Sequence, residues 1–188
     1  MKTLLTLFVL LFSSSVVAED ISDFQIEGIS VGDSLLDYFS EDEIKKNTGF
    51  NVYDYKKDKT FVLAAFEKTP LNEDYDILQV HYKRNDKKRI IYGIEGMDYY
   101  ENNIDDCYIK QVEVIKQLSP IFENAKKTNE SGKHDADVSG KSTVVSTFFD
   151  FVSGDYADVA CYDWSNEVPY ADKLTVGIMT KELNTWLL

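Results

Sequence analysis

The stretch DILQVHYKRNDKKRIIYGIEGMDY, residues 76–99, decides the fold class. In its first third apolar and polar residues alternate, which places Leu78, Val80 and Tyr82 on one face of a strand. The polar turn 85–88 follows, and the rest of the stretch is a second strand-like run. Two such runs joined by a short turn predict an antiparallel hairpin.

More elements are predicted on both sides of this hairpin. Further strand-like runs occupy residues 51–56, 60–66, 143–152, 156–164 and 173–180. The clearest helical pattern lies between the strands before residue 100 and those after residue 142. Asn102 or Asn103 is predicted to cap this helix, and its apolar stripe extends to Phe122. A shorter helical segment is predicted over residues 31–46, with a break near Ser40 as the alternative because Ser40 and Glu43 have capping-box spacing. A short terminal helix is predicted over residues 182–188. The polar residues 124–142, which include two glycines, are interpreted as a surface loop.

The N-terminal residues MKTLLTLFVLLFSSSVVAED have the pattern of a secretory signal peptide. Lys2 is the positive residue, residues 3–11 are the apolar run, and cleavage is predicted after Ala18. The run is too short for a membrane span, which needs about 20 residues. We therefore expect a periplasmic or secreted protein. Residues 19–188 are predicted to be one α+β domain, a mainly antiparallel sheet packed by one long helix and a shorter N-terminal helical segment.

The charge balance narrows the choice of partners. The 188 residues include 20 basic and 33 acidic side chains, a net charge of −13, and cleavage would remove only Lys2, which changes it to −14. Such a chain repels phosphate backbones, so nucleic acid is not expected as a partner, and anionic membrane surfaces are disfavoured for the same reason. No later segment is long and apolar enough to span a membrane.

Two cysteines remain in the mature chain, Cys107 and Cys161. An even number of cysteines in an exported protein favours a disulfide bond. Cys107 lies on the apolar stripe of the long predicted helix, and Cys161 lies on a strand face of small apolar residues. A helix that packs on a sheet brings two such faces together, so we predict that the two cysteines are bonded. Two separate buried thiols are the alternative.

The segment DADVSG, residues 135–140, has the pattern of a calcium-binding loop at its start. Asp135, Asp137 and Ser139 would supply oxygen ligands at alternate positions, and a glycine would allow the sharp turn. The twelfth position of an EF-hand-type loop should supply a carboxylate, but Ser146 stands there. Calcium is therefore a hypothesis, and a polar turn without an ion is its alternative.

Few residues indicate catalysis. His81 and His134 are the only histidines, and neither lies in a recognisable nucleophile motif. Tyr162 and Trp164 are candidates for stacking on a sugar ring, although aromatic strand residues more often pack against their neighbours. The leading hypothesis is thus a non-enzymatic exported envelope protein that binds a protein or a small ligand. The alternatives are a carbohydrate- or calcium-dependent binding module, and a small hydrolase that uses two carboxylates of displaced pKa.

The segment FQIEGISVGDSLLDYFSEDEI, residues 24–44, carries a resemblance to known proteins. It resembles small exported proteins of marine alphaproteobacteria with AT-rich genomes, for which no function is assigned. Its motif is also similar to the start of envelope proteins of the BamE/SmpA type. The matching residues are Ile26, Gly28, Ser30, Asp33, Leu35 and Leu36. That second likeness implies a helix start and an α+β sandwich, but this chain lacks the lipobox cysteine of the family and is longer.

Overall fold

A computed structural model describes residues 21–67, 74–101 and 103–188 of the chain. The predicted signal peptide lies outside these residues. The strands are β1 (Thr48–Gly49), β2 (Phe61–Glu67), β3 (Ile77–Lys83), β4 (Ile91–Tyr99), β5 (Lys126–Lys133), β6 (Thr143–Asp150), β7 (Tyr156–Asp163) and β8 (Lys173–Met179). The α-helices are α1 (Glu41–Asn47), α2 (Ile104–Leu118) and α3 (Lys181–Leu187), and 3-10 turns occur at Ile21–Asp23 and Leu35–Asp37.

All eight strands form one antiparallel sheet in the order β1-β2-β3-β4-β8-β7-β6-β5. The hairpin predicted from residues 76–99 is the β3–β4 pair, in which Val80 lies opposite Ile94. Each half of the chain runs helix first and then four strands, and the last strands of the halves, β4 and β8, pair in the middle of the sheet. The sequence shows no repeat of fixed period, so this repetition is visible only in the order of the elements.

The predicted fold class, an α+β domain packed by one long helix and a shorter N-terminal helical segment, is wrong. An eight-stranded sheet dominates the described residues, and its three α-helices are short. The predicted helix over residues 31–46 is replaced by the turn Leu35–Asp37 and the seven-residue α1. The reason is that Asp33 accepts hydrogen bonds from the Ser30 amide and from the Tyr38 hydroxyl, which fixes a turn where a helix would begin.

The strand β5 was missed because its sequence, KKTNESGK, contains no apolar residue. β5 is an edge strand that pairs only with β6, and most of its side chains are exposed on both faces. Alternation between apolar and polar residues appears only where one face of a strand is buried, so the pattern could not reveal β5. Lysines at its two ends, Lys126 and Lys133, discourage pairing with another chain at this edge.

The first face of the sheet, the one that packs against α2, carries the main hydrophobic core. Its central residues Val80, Ile94, Val159 and Val176 are buried. The predicted disulfide bond is confirmed, because Cys107 on α2 is bonded to Cys161 on β7. No helix in the described part of the chain is long and apolar enough to cross a membrane.

A close contact on the first face gives a testable prediction for the fold. A Cβ atom added to Gly96 would lie 2.6 Å from ring atoms of Tyr75, which therefore packs directly on the backbone of β4. We expect Gly96→Ala to lower the free energy of unfolding by about 1–3 kcal/mol, because the ring would have to move. Gly132→Ala is the matched control, since no atom lies within 4 Å of the added Cβ in β5. Urea unfolding of both variants measures the difference, and equal stabilities would contradict the proposed contact.

Candidate functional site

The second face of the sheet, opposite α2, holds two acidic side chains near its centre. Glu95 on β4 and Asp158 on β7 both lie opposite Gly177 on the strand between them, β8. All three residues therefore belong to one row across the sheet, with Gln79 and Phe148 as the next residues on either side. Along this row, one carboxylate therefore lies on each side of β8, and β8 itself has no side chain there because the residue is Gly177.

The missing side chain at Gly177 lets the two acidic side chains approach each other above β8. A Cβ atom added to Gly177 would lie 3.0 Å from Asp158 Oδ1 and 3.6 Å from Glu95 Cγ. Any larger residue at this position would thus occupy the space that the carboxyl groups share. The arrangement is a pair of acidic side chains that face each other across Gly177.

The pKa of each acid is raised above its ordinary value. Partial removal from water is the main cause for Asp158, and the negative charge of Glu95 adds to it. Removal from water also raises the pKa of Glu95, while the charge of Lys173 and the hydroxyl of Thr175 act in the opposite direction. Neither acid forms an ion pair with another described residue. The pair therefore binds a proton more readily than surface carboxylates do.

A buried hydroxyl beside Glu95 has no hydrogen bond of normal geometry with the described residues. Thr175 is fully buried, and it lies two residues before Gly177 on the same face of β8. Its hydroxyl is near enough to Glu95 and to Tyr162 to lower the pKa of both, but its Oγ1 forms no hydrogen bond of normal geometry. Buried polar groups are normally paired, so this hydroxyl beside Glu95 is able to take up a further hydrogen bond.

One end of the second face is covered by α3 and by the loop before β2. A small apolar cluster fills the contact there. It consists of Phe61, Met179 and Leu183 with Tyr92, Tyr156, Trp186 and Leu187 around them. Under this cover the Tyr53 hydroxyl and His81 Nε2 are hydrogen-bonded at 2.5 Å, and burial lowers the pKa of His81 to about 4. His81 is therefore neutral at pH 7, and its Nδ1 has no partner in the described structure.

The opposite end of the face carries an aromatic cluster. Tyr162 and Trp164, the predicted ligand-binding residues, lie nearly parallel, with ring centroids 6.0 Å apart. His134 contacts both rings, and Tyr170 packs on Trp164 at 4.7 Å. The structure thus brings the predicted pair together, but much of its ring surface contacts protein. Binding of a sugar by these rings stays a prediction.

The loop proposed to bind calcium is held together by Asp137. Its Oδ2 accepts hydrogen bonds from the amide and hydroxyl of Ser142 and from the hydroxyl of Ser165, and its Oδ1 accepts one from the amide of Ser139. These bonds keep the pKa of Asp137 well below its usual range. The described residues contain no cluster of three or more side chains suited to a metal ion. Calcium binding by Asp135, Asp137 and Ser139 stays a prediction, and an ion would have to share the oxygens of Asp137 with these donors.

Sequence reasoning missed the central acids. Its candidate loop 135–140 does not contain them. Its candidate Tyr162 borders the pair, because it lies on the same face of β7 as Asp158, and burial together with the charges of Glu95 and Asp158 raises the pKa of its hydroxyl. A weak signal existed in the segment GIEG, because an acidic residue between glycines is unusual in a strand. The partner, Asp158, could not be found from the sequence, because it meets Glu95 only through the register of both strands with β8.

The predicted resemblances of this chain to known proteins rest on residues 24–44 alone. These residues form turns and short bridges at one end of the first face, away from the pair of acids. The resemblances to exported alphaproteobacterial proteins and to the BamE/SmpA type stay predictions, and the function has to be argued from the second face. No protein-family model, no curated protein and no solved structure matches this chain.

Proposed function

We propose that this chain is an exported, non-enzymatic envelope protein that binds a cationic group of a protein or small ligand on the second face of its sheet. The observation that supports the proposal is the facing pair Glu95 and Asp158, which meets over Gly177 and forms no ion pair with a described residue, although the charge of Lys173 acts on Glu95 from farther away. An ammonium or guanidinium group between the two acids would add a positive charge in direct contact with them and donate hydrogen bonds to both.

The surroundings of the pair suit an organic cation. The Thr175 hydroxyl is a further hydrogen-bonding group beside Glu95. Phe148 on β6 and Tyr156 on β7 supply aromatic surface near Asp158. Cationic groups gain stability from aromatic rings within about 6 Å. Tyr and Trp side chains are also enriched at the energetically dominant points of protein interfaces. A lysine or arginine side chain of a partner protein fits this combination.

The pair lacks the neighbours that a nucleophilic mechanism uses. His81 is neutral and engaged by Tyr53, and Thr175 forms no hydrogen bond of normal geometry with its neighbour Glu95, the carboxyl group that could act as its base. Binding is therefore the favoured role. Export is supported by the predicted signal peptide and is compatible with the Cys107–Cys161 bond, which persists in oxidising compartments.

The test uses small probes that carry only the proposed group. N-acetyl-lysine methylamide and N-acetyl-arginine methylamide should shift the amide resonance of Gly177 in a saturable way, and N-acetyl-norleucine methylamide should not. We expect Glu95→Gln and Asp158→Asn each to weaken this binding by about tenfold or more, because each removes one charge-assisted contact.

Glu130→Gln is the matched control, since it removes an exposed carboxylate from β5 on the same face. Equal shifts with the norleucine probe, or equal weakening by Glu130→Gln, would contradict the proposal. The apparent affinity should also fall as the pH is lowered, because protons compete for acids whose pKa values are raised.

A second candidate, a small hydrolase that uses acidic residues, is favoured by the proximity of the same two acids, because burial and, second to it, the charge of Glu95 raise the pKa of Asp158. Two neighbouring carboxyl groups in different surroundings can divide the roles of acid and base between them. A hydrolase must convert substrate to product repeatedly, whereas the proposed binding protein does not, so catalytic turnover distinguishes the two functions. A screen with chromogenic glycosides and esters would support it if hydrolysis saturates with substrate and disappears in Asp158→Asn but not in Glu130→Gln.

A further inference from the structure

Two basic segments of the chain meet at one end of the sheet. The residues 50–60, before β2, and the turn 83–89, between β3 and β4, are joined where Phe61 pairs with Lys83. The amide of Arg84 donates to the carbonyl of Thr60, and its guanidinium donates to the carbonyl of Phe50. We call these two segments together the basic end.

The basic end differs in charge from the rest of the chain. Its two segments contain eight basic and three acidic residues, a net charge of +5, although the whole chain carries −13. Lys57, Lys87 and Lys88 are exposed, and their side chains form no hydrogen bond or ion pair with another described residue. Anionic surfaces were expected to be disfavoured because the net charge is negative. That expectation assumes an even distribution of charge over the protein, but the positive charges are concentrated at the basic end.

Apolar side chains are exposed within the same end. Phe50, Val52 and Tyr55 lie within six residues of each other and are 42%, 47% and 74% exposed. Single exposed apolar residues are ordinary, but a group of three next to free lysines is a pattern that favours an interface.

We propose that the basic end docks on an anionic lipid surface, with Phe50, Val52 and Tyr55 in the interface between headgroups and acyl chains. Lysines near an anionic bilayer attract the protein electrostatically, and neighbouring apolar side chains add the area they bury. A soluble polyanion would use the lysines but would leave the aliphatic side chain of Val52 without a favourable contact. The acidic remainder of the molecule is repelled from the same surface, so it orients the basic end toward the bilayer.

Co-sedimentation with lipid vesicles tests this proposal. The protein should bind vesicles of phosphatidylglycerol and phosphatidylcholine at low salt, and it should not bind vesicles of phosphatidylcholine alone. We expect Lys57→Gln/Lys87→Gln/Lys88→Gln to weaken binding at least tenfold, and Val52→Ser/Tyr55→Ser to weaken it several-fold at the same salt. Added salt should weaken the binding of the parent protein, because it screens the charges.

The matched control removes three other exposed lysines that have no side-chain ion pair with the described residues: Lys116→Gln/Lys126→Gln/Lys133→Gln. It lowers the net charge equally but should leave the binding within twofold of the parent protein. Failure of the parent to bind anionic vesicles at low salt, or equal weakening by the control, would overturn the proposal. Polyglutamate serves as a soluble polyanion. If the protein binds it as strongly as it binds vesicles, and Val52→Ser/Tyr55→Ser does not weaken that binding, the proposal is overturned and the basic end is assigned to a soluble polyanion.

Discussion

Replacement of both Cys107 and Cys161 by alanine should lower the free energy of unfolding by about 4 kcal/mol, the largest change we expect from any small set of substitutions. The bond joins residues 54 positions apart. In the chain-entropy description, a closed loop of that length removes about 4 kcal/mol of conformational freedom from the unfolded chain. Urea unfolding of the double variant and of the oxidised parent protein measures the difference.

The bond also fixes α2 on the first face of the sheet. Another polar link there is Gln111, whose side-chain amide donates to the carbonyls of Val145 and Val159 at 2.7 and 3.0 Å. Reduction of the parent protein with dithiothreitol should therefore reproduce most of the loss, because it breaks the same bond without substitution. A reduced parent protein as stable as the oxidised one would contradict the assigned role. The single variants are unsuitable controls, since each leaves a free thiol.

The disulfide bond was predictable because both of its cysteines carry a local signal. Cys107 follows the apolar period of a helix and Cys161 follows the alternation of a strand, so each residue indicated a buried face. The same kind of signal predicted the hairpin β3–β4, the helix α3 and the strands β6, β7 and β8 to within about two residues.

The predictions failed where the local signal was absent or misleading. β5 has no apolar residue, and the predicted strand at residues 51–56 is a series of turns whose aromatic residues serve other purposes. Tyr53 in that segment covers the second face and contacts His81. Aromatic content alone does not separate a strand from a loop that packs on a sheet.

The central acids could not be predicted for a different reason. Glu95 and Asp158 are 63 residues apart in the numbering of the chain, and they become neighbours only because β8 lies between β4 and β7 with Gly177 at the shared position. No local period encodes that order of strands. A pair of residues that depends on the register of three strands needs the structure before it can be recognised.

Lowering the pH from 7 to 4 should remove about 3 kcal/mol of stability through His81 alone, the second large effect that we expect. Burial lowers the pKa of this imidazole to about 4 in the folded protein, while the ordinary value in an unfolded chain is about 6.5. Between these values the unfolded chain binds a proton that the folded protein does not. Stability is therefore complete above about pH 6.5 and falls as the pH drops through that window toward 4.

Other buried groups change stability in the opposite direction over part of the same range. The pKa values of Glu95 and Asp158 are raised, and burial raises the pKa of Asp98 to about 6, so the folded protein holds their protons more tightly than the unfolded chain does. Their contribution is greatest at low pH and is lost as the pH rises through their folded pKa values. The pH dependence of the parent protein is the sum of both effects and does not isolate His81.

The difference between the parent protein and His81→Gln isolates it, because the acids contribute equally to both. The variant keeps a polar side chain near the Tyr53 hydroxyl but carries no titratable group. Urea unfolding at pH 7, 5.5 and 4.5 should show that the parent protein loses stability relative to the variant at each step. Tyr53→Phe is the matched control, since it breaks the same hydrogen bond and keeps the imidazole; the loss should persist in it. If the stability difference between the parent protein and His81→Gln stays the same from pH 7 to pH 4.5, the prediction is wrong. That result would mean that water reaches the imidazole in the folded protein. The cover formed by α3 and Tyr53 would then open more easily than its aromatic contacts indicate.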